Sequence, residues 1–435
     1  MIVDVTRDNI SQIKNSAFAA CAGVYLDLYD DYMAQVSAIG IPIDTQDYAD
    51  ELAHKHAQLK EKAAVFRNSE KSIYINTISP ACLACRDSVG SETFFISLQC
   101  HRDCYYCFNP NQEDYDVFLE NKRELIQELD QIYANQQTLT HLAVTGGEPL
   151  LHKAEVIDFL DHASKTYPDI HKRLYTCGDH ADQATLEGLQ RAGLEEIRFS
   201  IRMHDLENGR NHTLNRIQAA VDYIPSVMVE MPIIPGTLDE MRSLLVDLDR
   251  IGVSDINLLE FCYPFVDPEP FIERGFKIKK RPYKILYNYW YASGLPISRS
   301  EIECLDLLDF AIDNELRMGV HYCSLENKFT AQLFKQNYQQ RVPSRFKFSE
   351  EDFFFKSAKV FGNDIPVVLD EFAKCGYGDY AHDPKLDSLE FHVDMASVIE
   401  HLGVEIGIST QIVESRNNER FLRELKIDQL IPDTP

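Results

Sequence analysis

The sequence predicts an α/β fold: a partial or full (β/α) barrel with an N-terminal helical hairpin and a C-terminal α+β extension. Short β-rich runs alternate with helical stretches from residue 93 to residue 261. Hydrophobic residues make up 45% and aromatic residues 11% of the 435-residue chain, which is enough for a sizeable core. Helices between successive strands favour parallel pairing, so we expect the chemistry on the loops that follow the strands.

The N-terminal region has a helical pattern. Ile13, Ala17, Cys21, Val24 and Leu28 recur at helical spacing. A Gly-Ile-Pro break at residues 40–42 separates this pattern from a second, more charged helical stretch. The two stretches predict a helical hairpin within residues 1–75.

The barrel core is predicted over residues 76–265. Each β-rich run in this region, the last excepted, is followed by a helix-prone stretch, which predicts a parallel sheet with helices outside it. The predicted strands are Thr93–Leu98, His141–Val144, Arg173–Thr176, Glu196–Ile201, Val227–Ile234 and Asp255–Phe261.

After Pro264 the alternation changes. A predicted helix over Ser300–Arg317 dominates a helical extension, residues 266–345, and a small α/β domain follows over residues 346–435. Acidic and aromatic side chains near the end of the barrel line a substrate pocket in one interpretation and belong to the core in the other. They are Glu260, Tyr263, Tyr287, Tyr289, Trp290 and Tyr291.

Charge and hydropathy narrow the function classes. The chain has 43 Lys and Arg against 69 Asp and Glu, a net charge of −26, which argues against nucleic acid as a partner. No apolar run approaches the roughly 18 residues of a membrane span, and the charged residues 1–14 do not resemble a signal peptide. We therefore expect a cytoplasmic protein with no membrane partner.

The most informative motif is a cysteine array directly after the first predicted barrel strand. Cys100, Cys104 and Cys107 form a C-x3-C-x2-C pattern. Three thiolates on a short loop can hold three corners of a 4Fe-4S cluster and leave the fourth iron open to an external ligand. Zinc is the competing metal, with His101 as a fourth ligand.

This array resembles the signature of the radical S-adenosylmethionine (radical SAM) superfamily, including the aromatic Tyr106 before the last cysteine. The next predicted strand ends in Gly146-Gly147-Glu148-Pro149, which resembles the GGEP motif of the same superfamily. A glycine pair allows close approach of the backbone to a ligand, and the glutamate offers an acceptor for an ammonium group.

The resemblance implies further contacts with S-adenosylmethionine. Ser200 and Arg202, at the end of the fourth strand, correspond to positions that meet the ribose and carboxylate in relatives, and the planar Arg fork suits a carboxylate. Ile234 lies in Pro232-Ile233-Ile234-Pro235-Gly236, a stretch similar to one that meets the adenine in glycyl-radical activating enzymes. The alternatives are ordinary strand ends and a Pro-Gly turn.

The resemblance also implies an activity. A 4Fe-4S cluster would chelate S-adenosylmethionine and reduce it, and the 5'-deoxyadenosyl radical would abstract hydrogen from an organic substrate such as a peptide, an amino acid or another small molecule. This oxidoreductase chemistry implies a reductant such as flavodoxin or ferredoxin. The alternatives are a cobalamin-dependent radical methyltransferase, a glycyl-radical activating enzyme and a non-catalytic iron-sulfur protein. No catalytic residue is assigned beyond the cluster.

A second metal site is predicted from Cys82-x2-Cys85, just ahead of the first barrel strand. Two thiolates do not complete a site, so Cys323 is expected to join them, with Cys262 or Cys375 as the fourth ligand. The site would hold a second iron-sulfur cluster or zinc. Two other cysteines, Cys177 and Cys304, are expected to be packed thiols.

Overall fold

The computed structural model describes residues 1–85, 90–203, 207–287, 294–416 and 419–431. The chain divides into two compact units. The first comprises Met1–Gly40, Tyr283–Asn288 and Gln332–Pro435, and the second comprises Ile41–Pro282 and Tyr289–Ala331. Within the described residues, no helix is both long enough and apolar enough to cross a membrane.

The α-helices of the described residues are numbered in chain order. They are α1 (Ser16–Ala38), α2 (Ala49–Glu61), α3 (Pro80–Ala84), α4 (Tyr115–Glu120), α5 (Leu125–Ala134), α6 (Lys153–Thr166), α7 (Gln183–Arg191), α8 (Glu207–Ala220), α9 (Leu238–Ile251), α10 (Glu269–Glu273), α11 (Ser300–Asp313), α12 (Thr330–Asn337), α13 (Ile365–Cys375) and α14 (Ala396–Ile399).

The strands are numbered in the same way. They are β1 (Ile2–Val3), β2 (Val65–Arg67), β3 (Ser72–Ile75), β4 (Ser91–Phe95), β5 (His141–Thr145), β6 (His171–Thr176), β7 (Glu196–Phe199), β8 (Ser226–Ile233), β9 (Asp255–Glu260), β10 (Cys262–Tyr263), β11 (Leu295–Pro296), β12 (Gly319–Cys323), β13 (Lys347–Phe348), β14 (Phe355–Phe361), β15 (Tyr380–Asp383), β16 (Ser388–Phe391), β17 (Ile406–Arg416) and β18 (Glu419–Leu430).

The second unit contains the predicted β-α alternation. Among the described residues its main sheet has the order β2-β3-β12-β9-β8-β7-β6-β5-β4. The strands from β4 to β9 pair in parallel with their neighbours along the chain. The α/β fold class predicted from the sequence is therefore confirmed, with helices between consecutive parallel strands.

Local sequence explains individual elements of this unit. Helix α9 buries Met241, Leu244, Leu245 and Leu248, the spacing of one helical face, and it ends at Gly252, whose φ of 91° suits a residue without a side chain. All four residues of β7 are buried, as expected for a strand of a parallel sheet covered on both faces.

Strand β12 extends the sheet beyond the predicted barrel core. It pairs in parallel with β9 and antiparallel with β3. The sequence predicts that the core ends at residue 265 and that residues 266–345 form a helical extension, whereas the sheet itself continues to Cys323. A five-residue strand without a β-α repeat around it gives a weak sequence signal. The division of the chain into four domains stays a prediction.

The first unit is built on an antiparallel sheet. In the described residues this sheet runs β1-β18-β17-β14-β16-β15, with β13 beside β14. Helix α1 packs Phe18 against Phe361 of β14 at a ring distance of 5.0 Å. The sequence predicts one hairpin from the two N-terminal helices, but α1 belongs to the first unit and α2 to the second. The burial of Phe18 and its neighbours by Ile427 and Phe361 explains this assignment.

Candidate functional site

The cysteine loop follows β4, where the sequence predicted it. The Cys100 residue is exposed, and Cys104 and Cys107 are partly buried. The Cys107 N–H donates to the Cys104 carbonyl at 2.9 Å, which closes a tight turn between them. Partial burial and the other thiols raise the pKa values of Cys100 and Cys107. We call these three residues the loop thiols.

The Gly-Gly pair after β5 lies directly against the segment that leads into this loop. A Cβ atom on Gly147 would lie 1.9 Å from the Gln99 carbonyl oxygen, and one on Gly146 would lie 2.5 Å from the Ser97 carbonyl oxygen. The Gly147 N–H donates to Ser97 O at 3.2 Å, and the Glu148 N–H donates to Gln99 O at 2.7 Å. The glycines are thus required by close packing of two backbone segments, which brings the two sequence motifs together.

The Glu148 carboxylate joins the ends of β5 and β6. The residue is only 2% exposed. Its Oε1 accepts hydrogen bonds from the Leu150 N–H at 3.0 Å and the Thr176 hydroxyl at 2.7 Å. Its Oε2 accepts one from the Cys177 N–H at 2.7 Å. The sequence predicts an acceptor for an ammonium group here; the carboxylate has three donors from the protein, and the predicted role stays a prediction. Buried Pro149 begins the short 3₁₀ helix Pro149–His152.

The remaining residues predicted to meet S-adenosylmethionine are spread over other strand ends. Arg202 Nη1 lies 3.6 Å from the Cys104 sulfur. Ser200 is exposed, and its N–H donates to Thr176 O at 3.0 Å. Ile234 follows β8 and is buried. The Tyr106 ring packs edge-on against Phe261 at 5.7 Å. The structure therefore brings Arg202 to the loop thiols.

Asp179, which was not found from the sequence, forms close polar contacts with two side chains of the cysteine loop. It lies between β6 and α7 and receives both the Arg102 Nε at 2.6 Å and the Arg102 Nη2 at 2.5 Å. His101 Nε2 lies 2.6 Å from its Oδ2. Burial would raise the pKa of Asp179, but the hydrogen bonds from Arg102 and His101 lower it to about 2. No spacing pattern in the sequence links residue 179 to the cysteine loop.

Asp179, His101 and Cys177 also have the ligand types of a metal site. Among the described residues, they form the one group of three such side chains whose ligand atoms all lie within 4.8 Å of one another. However, the Arg102 guanidinium occupies both carboxylate oxygens. A cation bound there would be placed beside a fixed positive charge, so the arrangement favours an ion pair over a metal site.

A second polar cluster lies on one face of the sheet. Arg198 on β7 is 3% exposed, and its Nε donates to Glu196 Oε1 and its Nη1 to Glu230 Oε2, both at 2.6 Å. Asn257 on β9 donates to the same Glu230 oxygen at 2.7 Å, and His321 Nδ1 on β12 lies 2.7 Å from Asn257 Oδ1. We call Arg198, Glu230, Asn257 and His321 the polar row. Its opposite charges offset much of the cost of burying them.

Helix α3 places Cys82 against the polar row. The Cys82 sulfur accepts hydrogen bonds from Asn257 Nδ2 at 3.3 Å and from Arg198 Nη2 at 3.5 Å. Burial, the Cys85 thiol and then the Cys82 thiol raise the pKa of Cys323 to about 12, so the three thiols are electrostatic neighbours. Asn327 Nδ2 donates to the Cys323 sulfur at 3.3 Å. We call Cys82, Cys85 and Cys323 the sheet thiols.

The other predicted cysteines lie elsewhere. Cys262 is on β10, where burial raises its pKa to about 11. Cys375 is the last residue of α13, in the first unit. Cys304 is buried within α11, as the sequence predicted for a packed thiol, whereas Cys177 is only partly buried.

Three of the six residues considered for a substrate pocket lie in the described part of the chain. Glu260 accepts the Leu325 N–H at 2.8 Å and is 6% exposed, and Tyr263 is 4% exposed. Tyr287 lies in the first unit and donates to Gln336. The predicted pocket residues Tyr289, Trp290 and Tyr291 lie outside the described residues.

Comparison with known families gives one domain match and one curated relative. The profile of the Radical SAM superfamily matches residues 95–248. A protein of Methanocaldococcus jannaschii, named provisionally as a glycyl-radical enzyme activating enzyme, is 29% identical over 180 residues. The aligned region covers 40% of this chain and 48% of that protein, so the chain spans about half the length of the curated relative that it matches.

Solved structures give weaker matches. Streptococcus suis SuiB bound to S-adenosylmethionine matches 72% of this chain and 64% of its own, with 14% identity and a TM-score of 0.40. The protein anSMEcpe with bound AdoMet matches 53% of this chain and 63% of its own, with 16% identity and a TM-score of 0.38.

Proposed function

We propose, on the premise that this chain is an enzyme of the radical SAM superfamily, that the loop thiols hold a 4Fe-4S cluster at which S-adenosylmethionine is reductively cleaved. The observation that carries the proposal is the packing of Gly147 on Gln99, which sets the cysteine loop beside the GGEP segment. Two motifs that are about 40 residues apart in sequence thus share one edge of the sheet.

The donor set fits a cluster better than a single zinc ion. Zn–S bonds of about 2.3 Å in a tetrahedral site would bring thiolate sulfurs to about 3.8 Å from one another. Among the described residues, the loop thiols do not form a group with all sulfurs within 4.8 Å. Three thiolates on one loop, with Cys100 exposed, suit an inorganic cube with one corner open to an external ligand.

When bound, the cluster and S-adenosylmethionine together supply a 5'-deoxyadenosyl radical that abstracts hydrogen from a substrate. The chain would bind the nucleotide through Gly146, Gly147 and Glu148. The Glu148 carboxylate has three protein donors and, with about four acceptor positions, can also accept a hydrogen bond from an ammonium group. Arg202, beside Cys104, would neutralise a carboxylate of the ligand. Tyr106, Pro149, Ser200 and Ile234 complete the proposed contacts.

The substrate proposed is an organic molecule such as a peptide, an amino acid or another small molecule. A low-potential electron donor such as flavodoxin or ferredoxin would supply the electron. A cytoplasmic location would give access to both the electron donor and the substrate. Activation of a glycyl-radical enzyme is a second candidate, and the name of the M. jannaschii relative favours it.

We propose further that the sheet thiols hold a second iron-sulfur cluster or a zinc ion, with Cys262 as a fourth ligand; Cys375, the other residue expected from the sequence, belongs to the first unit. The hydrogen bonds to the Cys82 and Cys323 sulfurs support it, because such donors stabilise metal-bound thiolates. About eight irons per chain would support a second cluster, about four irons with one zinc would support zinc, and four irons alone would contradict both.

The principal experiment measures 5'-deoxyadenosine. Anaerobically reconstituted protein with dithionite is expected to produce it from S-adenosylmethionine. The combined substitutions Cys100→Ala, Cys104→Ala and Cys107→Ala should abolish the product, because the cluster loses its thiolate ligands. Cys21→Ala is the matched control, because Cys21 lies in α1, far from the cysteine loop in the sequence. This variant should retain the product. Undiminished product from the triple variant would contradict the proposal.

A further inference from the structure

The carboxylate of Asp179 is the strongest feature of the site that has no assigned role. It contacts side chains of the cysteine loop and one side chain of helix α8. Arg102 and His101 come from the loop itself, between Cys100 and Cys104. His212 Nε2 on α8 lies 3.6 Å from Asp179 Oδ1. Two hydrogen bonds from one arginine to both oxygens of a carboxylate form a directional contact, which fixes orientation as well as distance.

The loop that carries Asp179 is itself fixed to the GGEP segment. The Thr176 hydroxyl donates to Glu148 and accepts the Gly178 N–H at 3.0 Å. The Cys177 N–H donates to the second oxygen of Glu148. Gly178 has a φ of 86°, and a Cβ on it would lie 2.9 Å from the Phe199 ring. Asp179 therefore projects from a turn with little freedom to move.

Together these contacts form a continuous connection. It runs from Glu148 through Thr176 and Cys177 to Asp179, and from Asp179 through Arg102 and His101 to the loop thiols. We propose that Asp179 is a positioning residue that holds the cysteine loop in register with the GGEP segment, before any metal binds. This inference rests on the proposed cluster at the loop thiols.

The first test uses the metal-free full-length chain. In Asp179→Asn, the amide keeps one acceptor oxygen but loses the charge, so Arg102 is released from its fork. Hydrogen exchange at the amides of residues 101–107 is expected to accelerate about tenfold relative to the parent chain. Asp130→Asn is the matched control, since Asp130 makes a comparable contact with His162, at 2.7 Å, on helices α5 and α6. It should leave exchange in the loop unchanged.

The second test uses reconstituted protein. Iron release to a chelator should be about 10- to 100-fold faster in Asp179→Asn than in the parent, as for other residues that orient metal ligands. The electron paramagnetic resonance change on adding S-adenosylmethionine should weaken, whereas a merely structural role would lower the melting temperature and leave that change intact. Asp179→Glu retains the charge and should recover part of the parent behaviour.

A double variant separates direct from indirect effects. If Asp179 acts through Arg102, then Asp179→Asn combined with Arg102→Gln should release iron no faster than the more affected single variant. Additive effects would contradict this route. Loop exchange and iron release in Asp179→Asn equal to those of Asp130→Asn would overturn the inference. The inference would also be overturned if the parent chain held one zinc ion and Asp179→Asn held none, because the carboxylate would then be a metal ligand.

The two proposals fail in distinguishable ways. Absence of iron and of 5'-deoxyadenosine in the parent chain would remove the proposed function, while the exchange experiment on the metal-free chain would still report on Asp179. A parent chain that cleaves S-adenosylmethionine, with an Asp179→Asn variant identical to it in exchange, iron release and spectrum, would remove only the role of Asp179.

Discussion

The loop thiols and the sheet thiols contain the same C-x2-C spacing in very different surroundings. Cys104 and Cys107 lie on a turn beyond the strand ends, next to an exposed Cys100. Cys82 takes hydrogen bonds from Asn257 and Arg198, two buried side chains of the polar row. The loop thiols have Arg202 near Cys104 instead, and Cys85 is exposed like Cys100. A site that keeps one metal position open needs space for an external ligand, whereas surrounding protein donors favour a closed site. The comparison teaches that the same cysteine spacing occurs in two different polar surroundings, which the spacing alone does not predict.

Serine substitution in each C-x2-C pair tests this difference most strongly. Cys104→Ser is expected to lower 5'-deoxyadenosine formation by about three orders of magnitude, because the metal at the open site is lost. Cys82→Ser should change that rate by no more than about threefold while lowering the metal content. Product chromatography and metal analysis on the same samples provide both readouts. Equal loss of product in the two variants would show that the thiol groups do not have separate roles.

Removing the buried charge of the polar row should affect stability more than any exposed charge. Arg198→Met leaves Glu196 and Glu230 without their shared partner, so we expect a loss of about 3–5 kcal/mol in the free energy of unfolding. Arg250→Met removes an arginine that is 72% exposed and should cost less than about 1 kcal/mol. Urea unfolding of the metal-free chain measures both. Similar losses of unfolding free energy in the two variants would contradict the expected contribution of the buried Arg198 to stability.

Acid should destabilise the fold through Glu196, the buried partner of Arg198 in the polar row. Burial would raise its pKa, but His171, Arg198 and Ser79 lower it to about 2. A lowered folded-state pKa contributes stability above the unfolded value of about 4.5, and that stability is lost as pH falls toward 2. Between pH 6 and pH 3 the expected loss from this group is about 2 kcal/mol.

The corresponding measurement compares the parent with Glu196→Gln at both pH values. The difference between the free energies of unfolding at pH 6 and pH 3 should be smaller in the variant by about that amount, since glutamine does not titrate. Asp239→Asn, whose side chain is 91% exposed, should leave the difference as it is in the parent. A variant with the parent's pH dependence would assign the acid sensitivity to other carboxylates.

Particular elements show which features of the fold and of the site can be predicted from the sequence. Strands β5, β6, β8 and β9 were predicted to within a residue or two, because short β-rich runs that alternate with helical patterns indicate the strands of a parallel sheet. The cysteine array and the GGEP segment were found because their ligands are contiguous in sequence. The acidic partner of Arg102 was not found, since Asp179 lies 77 residues away and carries no local signature.

By itself the sequence determined the α/β class, the succession of β-α units and the loop with three thiols, because these depend on periodicity and on residues close together along the chain. Only the tertiary structure decided that Gly147 packs on Gln99, that Asp179 pairs with Arg102 and that Cys82 lies against Arg198 and Asn257. The physical reason is that such contacts depend on which strand ends become neighbours and which side chains share a face of the sheet. That information exists only when the strands have paired in register.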